Sequence, residues 1–329
     1  PKNAPKGKPD PADTLPKPPK LLVNLAKILM SVRSANGTLT INDGTILPGF
    51  TETPYLFGNS KRTAAPGWGF IFGDQDANIR KRAAENGWLT KSEYLTIPFS
   101  QTQTISLTAR ANVEPNPDIK IQLDIRRESQ ASYEEIYRYD DALQGYQSLN
   151  PSRRGNYRIS TVMINTAFNG SNSSVRSEVF EEFERNLVVM RRRFATITNS
   201  EYDTTSQDVV IPAFIAAYTG RSAESVSLSP FPRTPLPNWR IDYTGLNKLK
   251  GFKDLFQSFT ISHGYQATYS VLGYSNSLQY TDAGTVGLQV PIGDYNRRIF
   301  SSIVNDRGEI VPIYVISQVT MSEQFSPLI

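Results

Sequence analysis

Cysteine is missing from all 329 residues, and histidine occurs once, at His263. The first absence removes disulfides and thiolate chemistry. The second removes any two-histidine metal site within one copy of the chain. No run approaches the ~18–20 apolar residues of a membrane helix. Charge is nearly balanced, with 35 basic residues against 31 acidic. That excess is too small and too scattered to imply a nucleic-acid partner. No glycine-rich phosphate loop, Walker pattern or metal-ligand cluster is found, and a Ser-His-Asp arrangement would have to use His263. The carboxylate pair Asp140-Asp141 lies in a polar stretch, and Glu181-Glu182 belongs to a charged helix face. The sequons at Asn36, Asn169 and Asn172 are three-residue patterns without weight. We therefore expect no enzyme, and no catalytic, cofactor-binding or metal-binding residue.

What the chain does have is aromatics, with 16 Tyr, 16 Phe and 3 Trp, and many small polar residues. The stretch Phe256–Val271 shows how they are used. Phe259, Ile261, His263, Tyr265, Ala267, Tyr269 and Val271 alternate with Ser258, Thr260, Ser262, Gly264, Gln266, Thr268 and Ser270. Successive strand residues point to opposite faces, so this reads as a long two-faced β-strand. It exceeds the ~9–11 residues that cross a bilayer. Its polar face is uncharged, which suits a wall with lipid on one side and a wet lumen on the other. A long strand of a soluble β-protein is the alternative. On this face His263 is expected as a core or lipid-boundary residue. Alternating strands average to neutral hydropathy, so the negative mean hydropathy is compatible with a membrane barrel.

Taken in order, residues 1–20 are a Pro/Lys-rich linker of extended character. The start Pro1-Lys2-Asn3 suggests a piece of a longer protein. Residues 21–30 form an apolar run that reads equally as the start of a strand or as a short helix, and a strand is expected over 31–42. Residues 43–98 form a long loop region punctuated by Gly and Pro, with a short helix from Asp76 to Asn86 capped by Asp74. Strands over 101–113 and 118–127 make a hairpin, turning at Glu114–Asp118, with Pro115 and Pro117 ending both strands. Residues 128–172 are polar, and only Tyr157–Phe168 offers another strand or short helix. A helical insertion over 174–220 follows. Its first helix carries the stripe Val179, Phe183, Leu187, Met190 and Phe194, and Arg191, Arg192 and Arg193 form a solvated end. Its second helix covers Gln207–Thr219, with Pro212 near the first turns and Gly220 as stop. Further strands are expected over 238–245, 257–271, around Arg298–Val304 and over 313–321.

The connections then alternate long, short, long, short, long: 43–100, 114–117, 128–237, 246–256 and 272–312. Transmembrane barrels have short periplasmic turns and longer outer loops. The tail and both short turns are thus expected on the periplasmic side, and the Trp68 loop and helical insertion outside or folded into the lumen.

Six strings carry a resemblance: LPGF at 47–50, APGWGFIFG at 65–73, NGWLT at 86–90, PNWRIDYTGL at 237–246, ISHGYQATYSV at 261–271 and SEQFSPLI at 322–329. Together, over about residues 21–329, they resemble the SprA/Sov family, the outer-membrane translocon of the type IX secretion system of Bacteroidota, which also serves gliding motility. The Pro/Lys tail has no counterpart. The resemblance implies a mainly β fold: antiparallel strands of a very large transmembrane β-barrel, here a fragment, with a small helical insertion. It implies passage of folded cargo proteins with a C-terminal signal, and of gliding adhesins, to the cell surface. The implied partners are that cargo, a PorV-like partner barrel, a periplasmic plug protein and outer-membrane lipid. It transfers no catalytic residue. The alternatives are another large outer-membrane barrel of the nutrient-receptor type and a soluble carbohydrate-binding β-protein.

Overall fold

The computed structural model describes residues 30–76, 78–167, 177–277 and 304–327. The linker 1–20, the run 21–29, the strand expected around 298–303 and the sequons at Asn169 and Asn172 lie outside them. Among the described residues the fold is mainly antiparallel β-sheet with a few helices.

Eight strands occupy six positions, or lanes, of one sheet. β1 (Val32–Ile46), β2 (Phe99–Asn116) and β3 (Ile119–Asp140) fill the first three. The fourth is shared end to end by β4 (Gly145–Ser160), paired with the far half of β3, and β5 (Asn238–Tyr243), paired with its near half. β6 (Ile261–Asn276) is the fifth. β7 (Tyr314–Ile316) and β8 (Val319–Ser326) together make the sixth. Every pairing is antiparallel and the lanes follow chain order, so the sheet is an up-and-down meander. It has two outer edges, β1 and β7/β8.

The turn between β2 and β3 is tighter than expected. β2 continues through Pro115, and the register slips between Val113 and Asn116. A bulge is where a strand can hold a residue that has no N–H to donate. β3 runs 22 residues, about 75 Å at ~3.4 Å each, more than twice a ~30 Å hydrocarbon core. Of the stretch read as polar, 128–172, residues 128–140 are β3's far half and 145–160 are β4, joined by a tip at 141–144, and the strand or short helix expected over Tyr157–Phe168 is the end of β4 followed by a helical turn at Ile164–Ala167. The strand expected at 257–271 instead starts at Ile261 and runs on to Asn276.

Helix α1 (Ile79–Glu85) is entered from Asn78, with no side-chain cap, so Asp74 does not cap it. α2 (Glu178–Thr198) starts at Ser177, whose side chain accepts from the Val179 N–H. α3 (Gln207–Thr219) ends on left-handed Gly220 as expected, but Pro212 lies in its interior. Its N–H would have faced the Asp208 carbonyl, so one helical bond is absent there. α4 (Lys250–Leu255) precedes β6.

The helical insertion leaves the fourth lane in mid-sheet rather than at a strand end. The chain departs after Ser160 and returns at Asn238. There the Leu236 N–H donates to the Ser160 carbonyl (3.0 Å), and Ser160 Oγ donates back to the Leu236 carbonyl (2.8 Å). The Arg126 N–H of β3 donates to the same Oγ (3.1 Å).

Candidate functional surfaces

Directly paired residues share a face, so the register assembles each face of the sheet. One face collects Leu39 and Ile41, Ile105 to Val113 at alternate positions, Ile119 to Ile125, Trp239 to Tyr243, Ile261 to Tyr265 and Phe325. No Asp, Glu, Lys or Arg occurs among them, and His263 is the one titratable imidazole, with its ring 6.4 Å from that of Phe325. In β2 this band extends from Ile105 to Val113, about 30 Å along the strand. It is most open at the β1 edge, with Leu39 61% and Ile41 52% exposed, while at its β6 end Tyr265 is buried beneath Met163 and against Trp239 and Phe325.

Polar residues bound the band above, at Asp43, Gln103, Arg127 and Glu323. Asp43 pairs with Gln103, and Gln103 pairs with Ala131, four residues above Arg127. The row of Arg127 runs through Ile159 and Tyr269 to Met321, two residues above Glu323. The boundary thus drops unevenly, by six residues in all over the five lane-to-lane steps and most of it between β2 and β3, which averages a little over one residue per step. With ~3.3 Å per residue and ~4.8 Å between strands, the band is level only if the strands lean by about 40°.

Above the boundary the same face is covered. α1 packs Ile79 on Phe99, Ala131 and Tyr133. α2 and α3 pack Met190, Phe194, Val209 and Ile215 on Tyr157, Ile159, Tyr269 and Val271. The upper apolar face of β6, expected toward lipid, is instead the floor of this helical core. Burial there pushes the Tyr157 hydroxyl up to about 12. Under α1, Arg80 forms a buried ion pair with Glu135, which also accepts from Ser148. The Arg80 guanidinium lies 5.4 Å from the Phe99 ring, 5.7 Å from Tyr133 and 5.8 Å from Tyr137. Burial there lowers its pKa from the usual guanidinium value.

Aromatic rings mark both borders of the band. Above, exposed Trp68 stacks on Phe72 (5.9 Å) and touches Phe57 (6.2 Å). This loop sits on the band's side of β1, with Gln75 donating to Thr45 Oγ1 (3.4 Å), a side chain on the same face as Leu39 and Ile41. It does not fold over the opposite face, where a lumen was expected. Below, Phe252, Phe256 and Phe259 cluster between β5 and β6.

The opposite face is polar and concave. Thr38 of the first lane, Thr108, Arg126, Arg158, Gln266 and Gln324 of the last line one hollow of about 950 Å³. Residues from both outer lanes meet in it, so the sheet curls toward this side. Its arginines are mostly neutralised within the sheet: Arg110 by Asp124 (2.6 Å), Arg126 by Glu128 (2.5 Å) and Arg240 by Asp242 (3.2 Å).

The residues weighed for chemistry do not converge. Asp140 accepts from the N–H groups of Ala142 and Leu143 and shapes the strand tip. Glu182 pairs with Arg185 on the α2 surface (2.7 Å). Among the described residues no His/Asp/Glu group has metal-binding spacing. Of the arginine triplet, Arg193 is not solvated but donates to the carbonyls of Ala223 (2.6 Å) and Val226 (2.9 Å). No family model matches the chain, and no curated protein matches it.

Proposed function

We propose that this chain is a stretch of the wall of a large outer-membrane β-barrel, serving as the protein-conducting channel of a type IX secretion system. The observation that supports the barrel is the uncharged band across the sheet. It has the height, the bordering rings and the strand lean of a lipid-facing surface, about 25 Å tall, girdled by aromatics and crossed by strands tilted ~35–45°. A bare apolar patch of this extent on a soluble monomer would be unusual. The polar hollow on the other side suits a lumen. Its paired charges leave little to hold a passing protein. The translocon itself is supported by the resemblance of six strings to the SprA/Sov family. That resemblance brings cargo with a C-terminal signal, a PorV-like partner barrel and a periplasmic plug protein as partners. The long 47–98 connection and the 141–144 tip lie at one end of the sheet, outside the cell, and the β2–β3 turn lies at the periplasmic end.

An antibody against residues 178–219 tests this on fractionated cells. We expect an outer-membrane protein, and loss of C-terminally signalled cargo from the medium when its gene is deleted. Normal secretion with an outer-membrane signal would favour a nutrient-receptor barrel. A soluble protein would end the barrel reading and leave a carbohydrate-binding one, with Trp68, Phe57 and Phe72 as its stacking surface.

A further inference from the structure

The connection between β5 and β6 carries more than the turn requires. It puts Leu249, Leu255 and Phe256 in the open, beside a cluster in which Phe259 lies 5.3 Å from Phe252 and 5.4 Å from Phe256. The same short segment holds Lys248, Lys250 and Lys253 against a single acid, Asp254. Lys248 reaches Asp118 (2.5 Å). Lys250 and Lys253 are exposed and have no ion-pair partner among the described residues. The segment is also fixed in place. The Thr244 N–H donates to the Asp118 carbonyl (2.9 Å), and the Phe259 N–H donates to Asn247 Oδ1 (2.6 Å). It therefore stays directly beneath Tyr243 and Ile261, the last residues of the apolar band in their lanes.

We propose that this segment is a lipid-headgroup site. α4 and its flanks lie in the interface of the periplasmic leaflet, with Leu255 and Phe256 among the upper acyl carbons. Lys250 and Lys253, joined by Lys248, bind the phosphates of anionic phospholipids. Amphipathic segments that combine exposed aromatics with lysines take this position. Two features select lipid over a protein partner: the continuity with the apolar band, and the match between clustered ammonium groups and an anionic surface. The inference rests on the barrel reading, which supplies the bilayer and its sidedness.

This stretch brings no cysteine of its own to compete with the label. Leu39→Cys and Leu255→Cys, each carrying a nitroxide, are made in the whole barrel protein, with any cysteine outside this stretch replaced, and reconstituted into vesicles of phosphatidylcholine alone or with phosphatidylglycerol added. Oxygen and a water-soluble nickel chelate report depth. We expect the Leu39 label inside the acyl region in both lipids. The Leu255 label should be shallow, and seated in lipid more fully when phosphatidylglycerol is present. Each lysine near an anionic surface shifts such an equilibrium about fivefold. Lys248→Gln/Lys250→Gln/Lys253→Gln should lower the ratio of lipid-seated to aqueous Leu255 label at least ~10-fold, Lys248 counting for less because Asp118 already pairs it, and leave Leu39 unmoved. A Leu255 label in water in both lipids, or one indifferent to phosphatidylglycerol, would overturn the headgroup site while Leu39 still upheld the barrel. A Leu39 label in water would overturn both.

Discussion

The two halves of β3 present one face to opposite surroundings. In the near half Ile119, Ile121, Leu123 and Ile125 are apolar yet partly open. In the far half Ser129 and Glu135 are polar yet buried, alongside Ala131 and Tyr133. In water the assignment would be reversed, because burial follows apolarity. The inversion coincides with what covers the face. Helices cover the far half, which can therefore afford a hydrogen-bonded ion pair. Nothing among the described residues covers the near half, which carries no charge on that side. A strand twice the length of a membrane span is thus two strands joined, one solvated through its own helices and one suited to lipid.

The contrast is broken most strongly from the covered half. Arg80→Leu alone should leave the Glu135 carboxylate buried and unpaired, costing about 3–5 kcal/mol in a denaturant titration in detergent. The double change Arg80→Met/Glu135→Leu should recover most of that loss. If the single change proved as mild as the double, the pair would not be the buried element described. In the open half, Leu107→Arg should cost about 2–4 kcal/mol in a bilayer, and Thr108→Arg, one residue along on the hollow side, well under ~1 kcal/mol. Equal effects at the two positions would erase the distinction between the faces. The smallest effect concerns pH. Burial pushes the Asp208 carboxyl up to about 6, above its unfolded value of ~3.9. Its ionisation therefore opposes folding: the cost is absent below about pH 3, builds between about 4 and 6, and is constant above that. Asp208→Asn should add about 1–2 kcal/mol to the stability of the helical insertion at pH 8, the ~3 kcal/mol of a two-unit shift being reduced by solvent because Asp208 is only half-buried, and almost nothing at about pH 3. A gain independent of pH would assign the effect to packing instead.

Much of this was legible in the chain, and the failures share a cause. Period-two alternation identified β2, the start of β3 and β6, because each carries apolar residues on one face only. The far half of β3 was missed because its buried positions include Ser129 and Glu135, whose partner Arg80 lies 55 residues away in sequence. β4 was hidden by Pro151 and by Asn150, which has φ +52° where the register slips opposite Glu134 and Ile136. α3 was read to its ends because Gly220 adopts the left-handed stop that glycine favours. The apolar band was only half legible. Composition located its strands, but whether helices or something else covered the upper face depended on where the insertion leaves the sheet, and alternation along a strand carries no information about that.

That departure point has an architectural consequence. Ser160 and Leu236 hold the two ends of the helical insertion together with reciprocal hydrogen bonds, while β3 runs past the gap without interruption. The helices are thus a cassette spliced into one lane of the sheet. Because β3 carries the pairing on both sides of the splice, changes of length or sequence between Ser160 and Leu236 need not disturb the order of the meander.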